Sequence, residues 1–279
     1  MAVGLPAGFG YLNLRINKNH YSIIIPYHLF VVGNVFLIHL RIEILNIIMT
    51  AEDFKNGQVL LIDKPLTWTS FQVVNKIRYV ITKKFHLKKI KVGHAGTLDP
   101  LATGLLILCT GAYTKKIDEY QAQEKEYTGT FTVGATTPSY DLETKIDKHF
   151  PTDHISEELI QESKKKFTGE IKQQPPLFSA IKKDGQRLYE LARAGERTEI
   201  KSRKVTIYEF EITKINLPEI KFRVVCSKGT YIRSLAHDFG HALGSGAYLS
   251  ELRRTRIGDF TLEKAETVED FLNRFQNTE

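Results

Sequence analysis

Gly93-His94-Ala95-Gly96-Thr97-Leu98-Asp99-Pro100, continuing Leu101-Ala102-Thr103-Gly104, reads as a loop between a helical run and a strand-like run. Its three glycines in twelve residues permit positive φ and a close backbone approach to a ligand. Asp99 stands before proline, which disfavours the α region, so its carboxylate is presented on a loop. No Gly-Lys-Ser/Thr ending follows, which excludes a P-loop phosphate cradle. Taken alone, the run reads equally as a turn aspartate with glycine punctuation.

The flanking sequence alternates between periods of two and 3.6 residues. On the N-terminal side Gln58–Asp63 is a short apolar strand broken by Lys64-Pro65. Thr69 and Gln72 have capping-box spacing in front of the helical run FQVVNKIRYVITKKF. On the C-terminal side Leu105–Cys109 and Lys125–Thr136 are strands, the second with one face buried. A helix over Ile155–Phe167 follows, then paired strands Ser202–Lys214 and Glu219–Cys226 around the turn Asn216–Pro218, and a helix from Gly229 through Leu243. The last helix spans Thr267–Phe275. Strands with interspersed helices predict a mixed α/β (α+β) fold on a largely antiparallel sheet flanked by helices.

The chain has 279 residues, a formal net charge of +7, 42% hydrophobic and 25% charged residues. That make-up excludes a disordered polyelectrolyte, a collagen-like chain and a polytopic membrane protein. The mild basic excess favours a polyanionic partner, of which nucleic acid is the commonest. Cys109 and Cys226, each in a strand-like apolar run, indicate packing roles in a reducing compartment, and the absence of Cys-x-x-Cys excludes a Cys-rich zinc site. Residues 1–48 differ from the rest: their charges are Arg15, Lys18, Arg41 and Glu43, and residues 21–40 carry none. That stretch is long enough for a membrane span, but Pro26, Asn34, His28 and His39 suit a bilayer poorly. Met49 opens a polar start into the first strand. Residues 1–48 are therefore expected to be a non-native or disordered extension, 49–262 the catalytic domain and 263–279 a short C-terminal helix or tail.

Three further segments bear chemistry. Ser227-Lys228-Gly229-Thr230-Tyr231-Ile232-Arg233, at a strand-to-helix junction, is a natural anion seat and equally a solvated basic cap. Lys125-Glu126-Tyr127 puts a tyrosine early in a strand, which alone is a packing aromatic. His237-Asp238-Phe239-Gly240-His241 has the i, i+4 spacing of a helical zinc pair, yet Asp replaces the required Glu, Gly240 weakens the helix and no third ligand follows. No metal site is expected there.

Taken in order, these blocks resemble the TruB-type tRNA pseudouridine synthases. The resemblance runs from Gly57 to Arg256 through Leu61-Ile62-Asp63-Lys64-Pro65, GHAGTLDPLATGLL, KEY, PPLFSAIKKDGQRLYEL, SKGTYIRSLAHDFG, Gly246-Ala247 and Leu252-Arg253-Arg254. It implies the pseudouridine synthase fold with an inserted segment that covers the RNA, and isomerisation of the T-loop uridine of tRNA. Position by position it implies Asp99 as the catalytic aspartate, Tyr127 as the aromatic on the target base, and Arg233 as the partner of Asp99. Tyr231 and Leu252 would belong to the uridine pocket, His94 would sit near the flipped base, and Lys64 and Pro65 would line the cleft. Only 23 residues follow Arg256, so the full C-terminal RNA-binding domain of longer relatives is not expected and recognition would centre on the T arm.

The isomerisation breaks N1–C1′, rotates the uracil and joins C5 to C1′ with no redox change, so no cofactor or metal is expected. One ionised carboxylate is needed, and a guanidinium beside it holds the charge better than an ammonium because it can pair bidentately. The remaining expectations are a cytoplasmic monomer, no membrane and no required protein partner. Lys83, Lys84, Lys88, Lys89 and Lys91, with eight Lys/Arg against four Asp/Glu between Lys182 and Lys204, predict salt-sensitive RNA binding. A non-catalytic tRNA-binding protein on the same scaffold is the rival reading.

Overall fold

The computed structural model describes residues 9–16, 21–32, 35–39, 49–179, 181–183, 185–195 and 200–276. The chain divides into two units, Met1–Met49 and Thr50–Glu279.

In the first unit, strands Phe9–Ile16, Tyr21–Val32 and Val35–His39 form an antiparallel sheet. The described part of the uncharged stretch considered as a membrane span, residues 21–32 and 35–39, is therefore extended. Its run Ile23-Ile24-Ile25 is β-branched, which favours strand, and Pro26 opposes a helix interior. Among the described residues no helix is long and apolar enough to cross a membrane. Residues 1–8, 17–20, 33–34 and 40–48 of the expected extension lie outside the described residues.

The second unit is built on one ten-stranded sheet. Its strands are β1 (Val59–Lys64), β2 (Val92–His94), β3 (Ala102–Thr110), β4 (Lys125–Val133), β5 (Gly169–Gln173), β6 (Arg203–Asn216), β7 (Glu219–Cys226), β8 (Ala247–Ile257), β9 (Phe260–Thr261) and β10 (Glu266–Thr267). The order is β5-β6-β7-β4-β8-β3-β1-β10, with β2 on β3 and β9 on β8. Only the β8–β3 and β1–β10 pairings are parallel, so the largely antiparallel mixed sheet expected from the sequence is present. Helices α1 (Ser70–Lys84), α2 (Glu157–Lys165), α3 (Ile232–Ala242) and α4 (Val268–Gln276) flank it. Between β5 and β6 the insertion carries a tight pair, Lys182–Lys183 with Gln186–Arg187, and a short helix, Leu188–Arg193.

Local chemistry explains the elements. Thr69 and Gln72 form the capping box that starts α1, and Val73, Val74, Ile77 and Ile81 are its buried stripe. Phe131 stacks on Phe222 at 4.1 Å and meets Phe239 of α3 at 5.6 Å, which fastens α3 over the centre of the sheet. Fully burying each such side chain stabilises the fold by about 1.5–3 kcal/mol. The helix expected from Gly229 begins instead at Ile232, with Tyr231 as its N-cap, because Gly229 adopts φ +82° within a turn.

β8 has no counterpart among the sequence-predicted strands, although it joins the two halves of the sheet. AYLSELRRTRI carries four charges that hide the alternation; two of them are paired, Arg253 with Asp63 at 2.6 Å and Arg256 with Glu124 at 2.7 Å. Gly104 marks its closest contact with β3. A Cβ there would lie 2.3 Å from the Arg254 carbonyl oxygen, and φ is +103°. Gly104→Ala should therefore destabilise the fold by about 2 kcal/mol or more, measured as a lower urea midpoint with unchanged m-value.

Candidate active site

Asp99 is held by a loop several of whose carbonyls and amides have fixed partners. Ser70 at the start of α1 accepts from the Leu98 N–H at 2.8 Å and donates to the Leu98 carbonyl at 3.1 Å. The Thr67 N–H donates to the Pro100 carbonyl at 2.8 Å, and the Ala102 N–H to the Asp99 carbonyl at 3.1 Å. From below, Lys64 Nζ donates to the carbonyls of Trp68 at 2.6 Å, Pro65 at 2.8 Å and Pro100 at 3.4 Å. Burial pushes the Lys64 ammonium down to about 8.

The loop aims the Asp99 carboxylate at α3. Arg233, in the first turn of α3, meets it with one hydrogen bond and one ion-pair contact: Nη2 donates to Oδ1 at 3.1 Å and Nε lies 2.9 Å from Oδ2. A second carboxylate, Asp141, stands 3.5 Å from the same Nε, and Arg233 Nη1 donates to the Ser139 carbonyl at 3.3 Å. The exposures divide the roles: the Arg233 and Asp141 side chains are 4% and 7% exposed, whereas Asp99 is 37% exposed and faces the cleft. Burial raises the Asp141 carboxyl above its ordinary range, with the Arg233 charge opposing that rise.

The cleft has a volume of about 660 Å³ and brings together Asp99, Tyr127, Tyr231, Arg233 and Leu252. Tyr231 is fixed by the buried Gln173, whose side-chain oxygen accepts from the Tyr231 N–H at 2.8 Å and whose nitrogen donates to the Tyr231 carbonyl at 3.0 Å. The Arg203 guanidinium covers the Tyr231 ring at 4.6 Å and donates to the Gly229 carbonyl. The Tyr127 ring is buried, and burial raises its hydroxyl above the ordinary phenol range. Lys125, Arg203, Lys228 and Arg254 complete a strongly cationic lining.

Three expected cleft residues sit elsewhere. Lys64 is fully buried beneath the Asp99 loop, because its ammonium is engaged by carbonyls; neither it nor Pro65 lines the cleft. His94 ends β2 behind Gly96, outside the lining. Burial and then the Arg254 charge push its imidazole below the usual histidine range. Three residues given no role beforehand belong to the site: Asp141, whose Thr-Thr-Pro-Ser-Tyr-Asp setting reads as an ordinary turn, and Lys125 and Arg254, which the quoted blocks contain without a function. Of the basic stretch Lys182–Lys204, residues 184 and 196–199 lie outside the described residues, as do the side chains of Lys182, Lys183, Arg187 and Arg193.

This geometry coincides with a known family. Residues 83–232 match the TruB family pseudouridylate synthase N-terminal domain, and residues 233–279 match the tRNA pseudouridylate synthase B C-terminal domain. The chain belongs to the TruB family. A relative named tRNA pseudouridine synthase B from Flavobacterium johnsoniae is 69% identical over 218 residues, which cover 78% of this chain and 95% of that protein. Its namesake from Phocaeicola vulgatus is 60% identical over 219 residues, covering 78% and 93%. Among solved structures, a Cbf5-Nop10-Gar1 complex matches with TM-score 0.59 at 32% identity, covering 81% of this chain and 56% of that one. The archaeal box H/ACA sRNP Nop10-Cbf5 complex matches with TM-score 0.57 at 29% identity, covering 80% and 54%. The chain thus spans about half the length of those two chains, and nearly all of the TruB-family relatives.

The two-histidine motif of α3 packs instead of forming a ligand cluster. His237, one turn after Arg233, stacks on Tyr140 at 3.9 Å, and no group of three metal-binding side chains occurs among the described residues. Arg233 and His237 thus grip the consecutive residues Ser139, Tyr140 and Asp141 from one helix face. Burial, then the His241 charge, pushes His237 down to about 4, with Asp147 opposing. Between pH 6.5 and 4 the unfolded chain takes up a proton that folded His237 refuses, so this group's contribution to stability falls as pH drops through that window. His237→Phe keeps an aromatic stack and removes the proton. Its loss of unfolding free energy from pH 7 to pH 5 should be smaller than that of the wild type, and an equal loss would exclude the assignment.

Proposed function

We propose that this chain isomerises a uridine in the T arm of tRNA to pseudouridine, with Asp99 as the essential carboxylate. The observation that carries the reading is the partly exposed Asp99 carboxylate, ion-paired and hydrogen-bonded to a buried guanidinium at the floor of a cationic cleft. Family membership and the named relatives support the reaction class. The target base is extruded from its stack into the cleft. Asp99, paired with Arg233, either attacks C1′ or removes the C2′ proton to give a glycal, and N1–C1′ breaks. The freed uracil rotates against Tyr127, and C5 bonds to C1′. The C5 proton then leaves and N1 gains one, so atoms balance without redox chemistry.

Tyr231 and Leu252 flank the base, while Lys125, Arg203 and Lys228 take phosphates of the loop. The acting unit is a single cytoplasmic copy without a protein partner. Its catalytic body begins at Met49, a reading supported by the Flavobacterium johnsoniae relative, of which 218 aligned residues make up 95%. The non-catalytic alternative has no comparable support, since a binder has no need of a buried guanidinium paired with an exposed carboxylate.

The test is tritium release from tRNA labelled at uridine C5. The wild type should release about one tritium per tRNA, and Asp99→Asn none while still binding. If neither protein releases tritium yet both bind, the chain is an RNA-binding module. Arg233→Lys loses the two-point pairing and should lower single-turnover rate by about a hundredfold or more with tRNA affinity little changed. Raising salt from 50 to 200 mM should weaken binding of every variant steeply.

A further inference from the structure

Arg254 is the largest fully buried side chain of the molecule, 1% exposed, and it lies at the floor of the cleft. Across the β4–β8 ladder its backbone sits directly opposite Tyr127, and across the β8–β3 pairing opposite Gly104. Its Nε donates to the Leu105 carbonyl at 2.8 Å and its Nη2 to the Gly96 carbonyl at 3.1 Å. The ladder puts Arg254 and Tyr127 side by side in the cleft wall, and the guanidinium charge acts on the Tyr127 hydroxyl. Among the described residues none of the ion pairs involves Arg254: the carboxylates near it are claimed by Arg223, Arg233, Arg253 and Arg256. A buried cation held by carbonyls is costly. Neutral side chains could tie β8 to the Asp99 loop, so the charge itself calls for a purpose.

We propose that Arg254 is a positioning residue that aims the Tyr127 hydroxyl at the base and supplies the countercharge for its ionised form when it takes the C5 proton. The proposal rests on Tyr127 being that proton's acceptor. Once C5 has bonded to C1′, C5 is tetrahedral and still carries its hydrogen. Tyr127 first loses its hydroxyl proton to water in the open cleft, and the phenolate oxygen then takes the C5 proton. The C5–H pair becomes the C5=C6 bond, the C6=N1 pair moves to N1, and N1 takes a proton from water. A neutral phenol is too weak a base for that step. Burial, seconded by Cys226 and Asp99, raises the Tyr127 hydroxyl, and the neighbouring Arg254 guanidinium is the group that opposes this. Through Gly96 the same guanidinium fixes the Asp99 loop, so the base-side and ribose-side groups share one anchor.

The experiment measures single-turnover conversion of full-length tRNA carrying C5-protium or C5-deuterium uridine, using wild type, Tyr127→Phe, Arg254→Gln, Arg254→Lys and the Tyr127→Phe/Arg254→Gln double variant. Expected results are at least a hundredfold slower conversion by Arg254→Gln, tRNA affinity within about threefold of wild type, a larger C5-deuterium isotope effect, and partial recovery with Arg254→Lys. The double variant should be no slower than Tyr127→Phe. Full rate in Tyr127→Phe would overturn the role of Tyr127 itself. A slow Tyr127→Phe beside a fast Arg254→Gln, an unchanged isotope effect, or losses that multiply in the double variant would overturn the role of Arg254 alone. If Arg254→Gln does not fold, Arg254→Lys decides: the proposal requires its isotope effect to exceed that of wild type.

Discussion

Arg233 sits between two carboxylates that the chain supplies from opposite sides, and the rest of the site depends on that pairing. Removing a guanidinium from water is costly unless charged partners with good geometry replace the lost hydration. Asp99 supplies one partner across 134 residues of sequence, and Asp141 supplies the second from the turn after β4. The arrangement is asymmetric in a useful way. Asp141 is buried and satisfies the guanidinium, whereas Asp99 keeps a lone-pair face open to the cleft. A single carboxylate would have to serve as both counter-ion and reagent, and would be covered when doing the first.

Holding Asp99 in place is then a matter of denying its loop any alternative. Pro100 and the glycines leave this segment without regular structure, so its backbone groups need partners from outside. They find them in Ser70, Thr67, Lys64 and Arg254, which come from three different elements. Two of these four are buried cations aimed at carbonyl oxygens, and the positive charge adds strength to bonds that neutral donors would make more weakly. Lys64 therefore acts from beneath the loop. Its place at the end of β1 serves the cleft indirectly, by fixing the Pro65–Trp68 turn and Pro100 together.

Much of this was legible in the sequence where a local rule acts alone. The capping box of α1, the continuous apolar run of β3 and the hairpin of β6 with β7 follow from spacing and side-chain type, and each occupies the expected place within a residue or a few. The Asp99–Arg233 pairing became readable only through resemblance to a family, because no periodicity links positions so far apart. β8 was opaque for a physical reason. Its arginines look solvent-facing, yet Arg253 and Arg256 are paired with Asp63 and Glu124 and Arg254 is buried against carbonyls, and only the folded sheet provides those partners. Asp141 was hidden in the same way, since a turn aspartate and a buried counter-ion have identical local sequence. Lys64 misled in the opposite sense: the family resemblance implied a cleft wall, while three carbonyls draw it into the interior.

The cleft carries an excess of positive charge that the free protein does not balance. Five cationic side chains line it against Asp99 and Asp118, and the excess acts on its neighbours: burial, seconded by the Arg254 charge, brings Lys125 down to about 8, and His94 is pressed towards its neutral form. Such crowding of like charges weakens the unliganded fold and is relieved when phosphates enter. In the proposed reaction the same field favours anionic species in the cleft, the detached uracil among them. Preorganised cations meet that need without rearrangement during the reaction. Their separation from solvent matters as much as their number, because charges on buried, carbonyl-anchored side chains are screened far less by salt than the lysines of the outer surface. Binding strength and turnover therefore draw on two populations of cations, one exposed and salt-sensitive, the other buried and fixed by the fold.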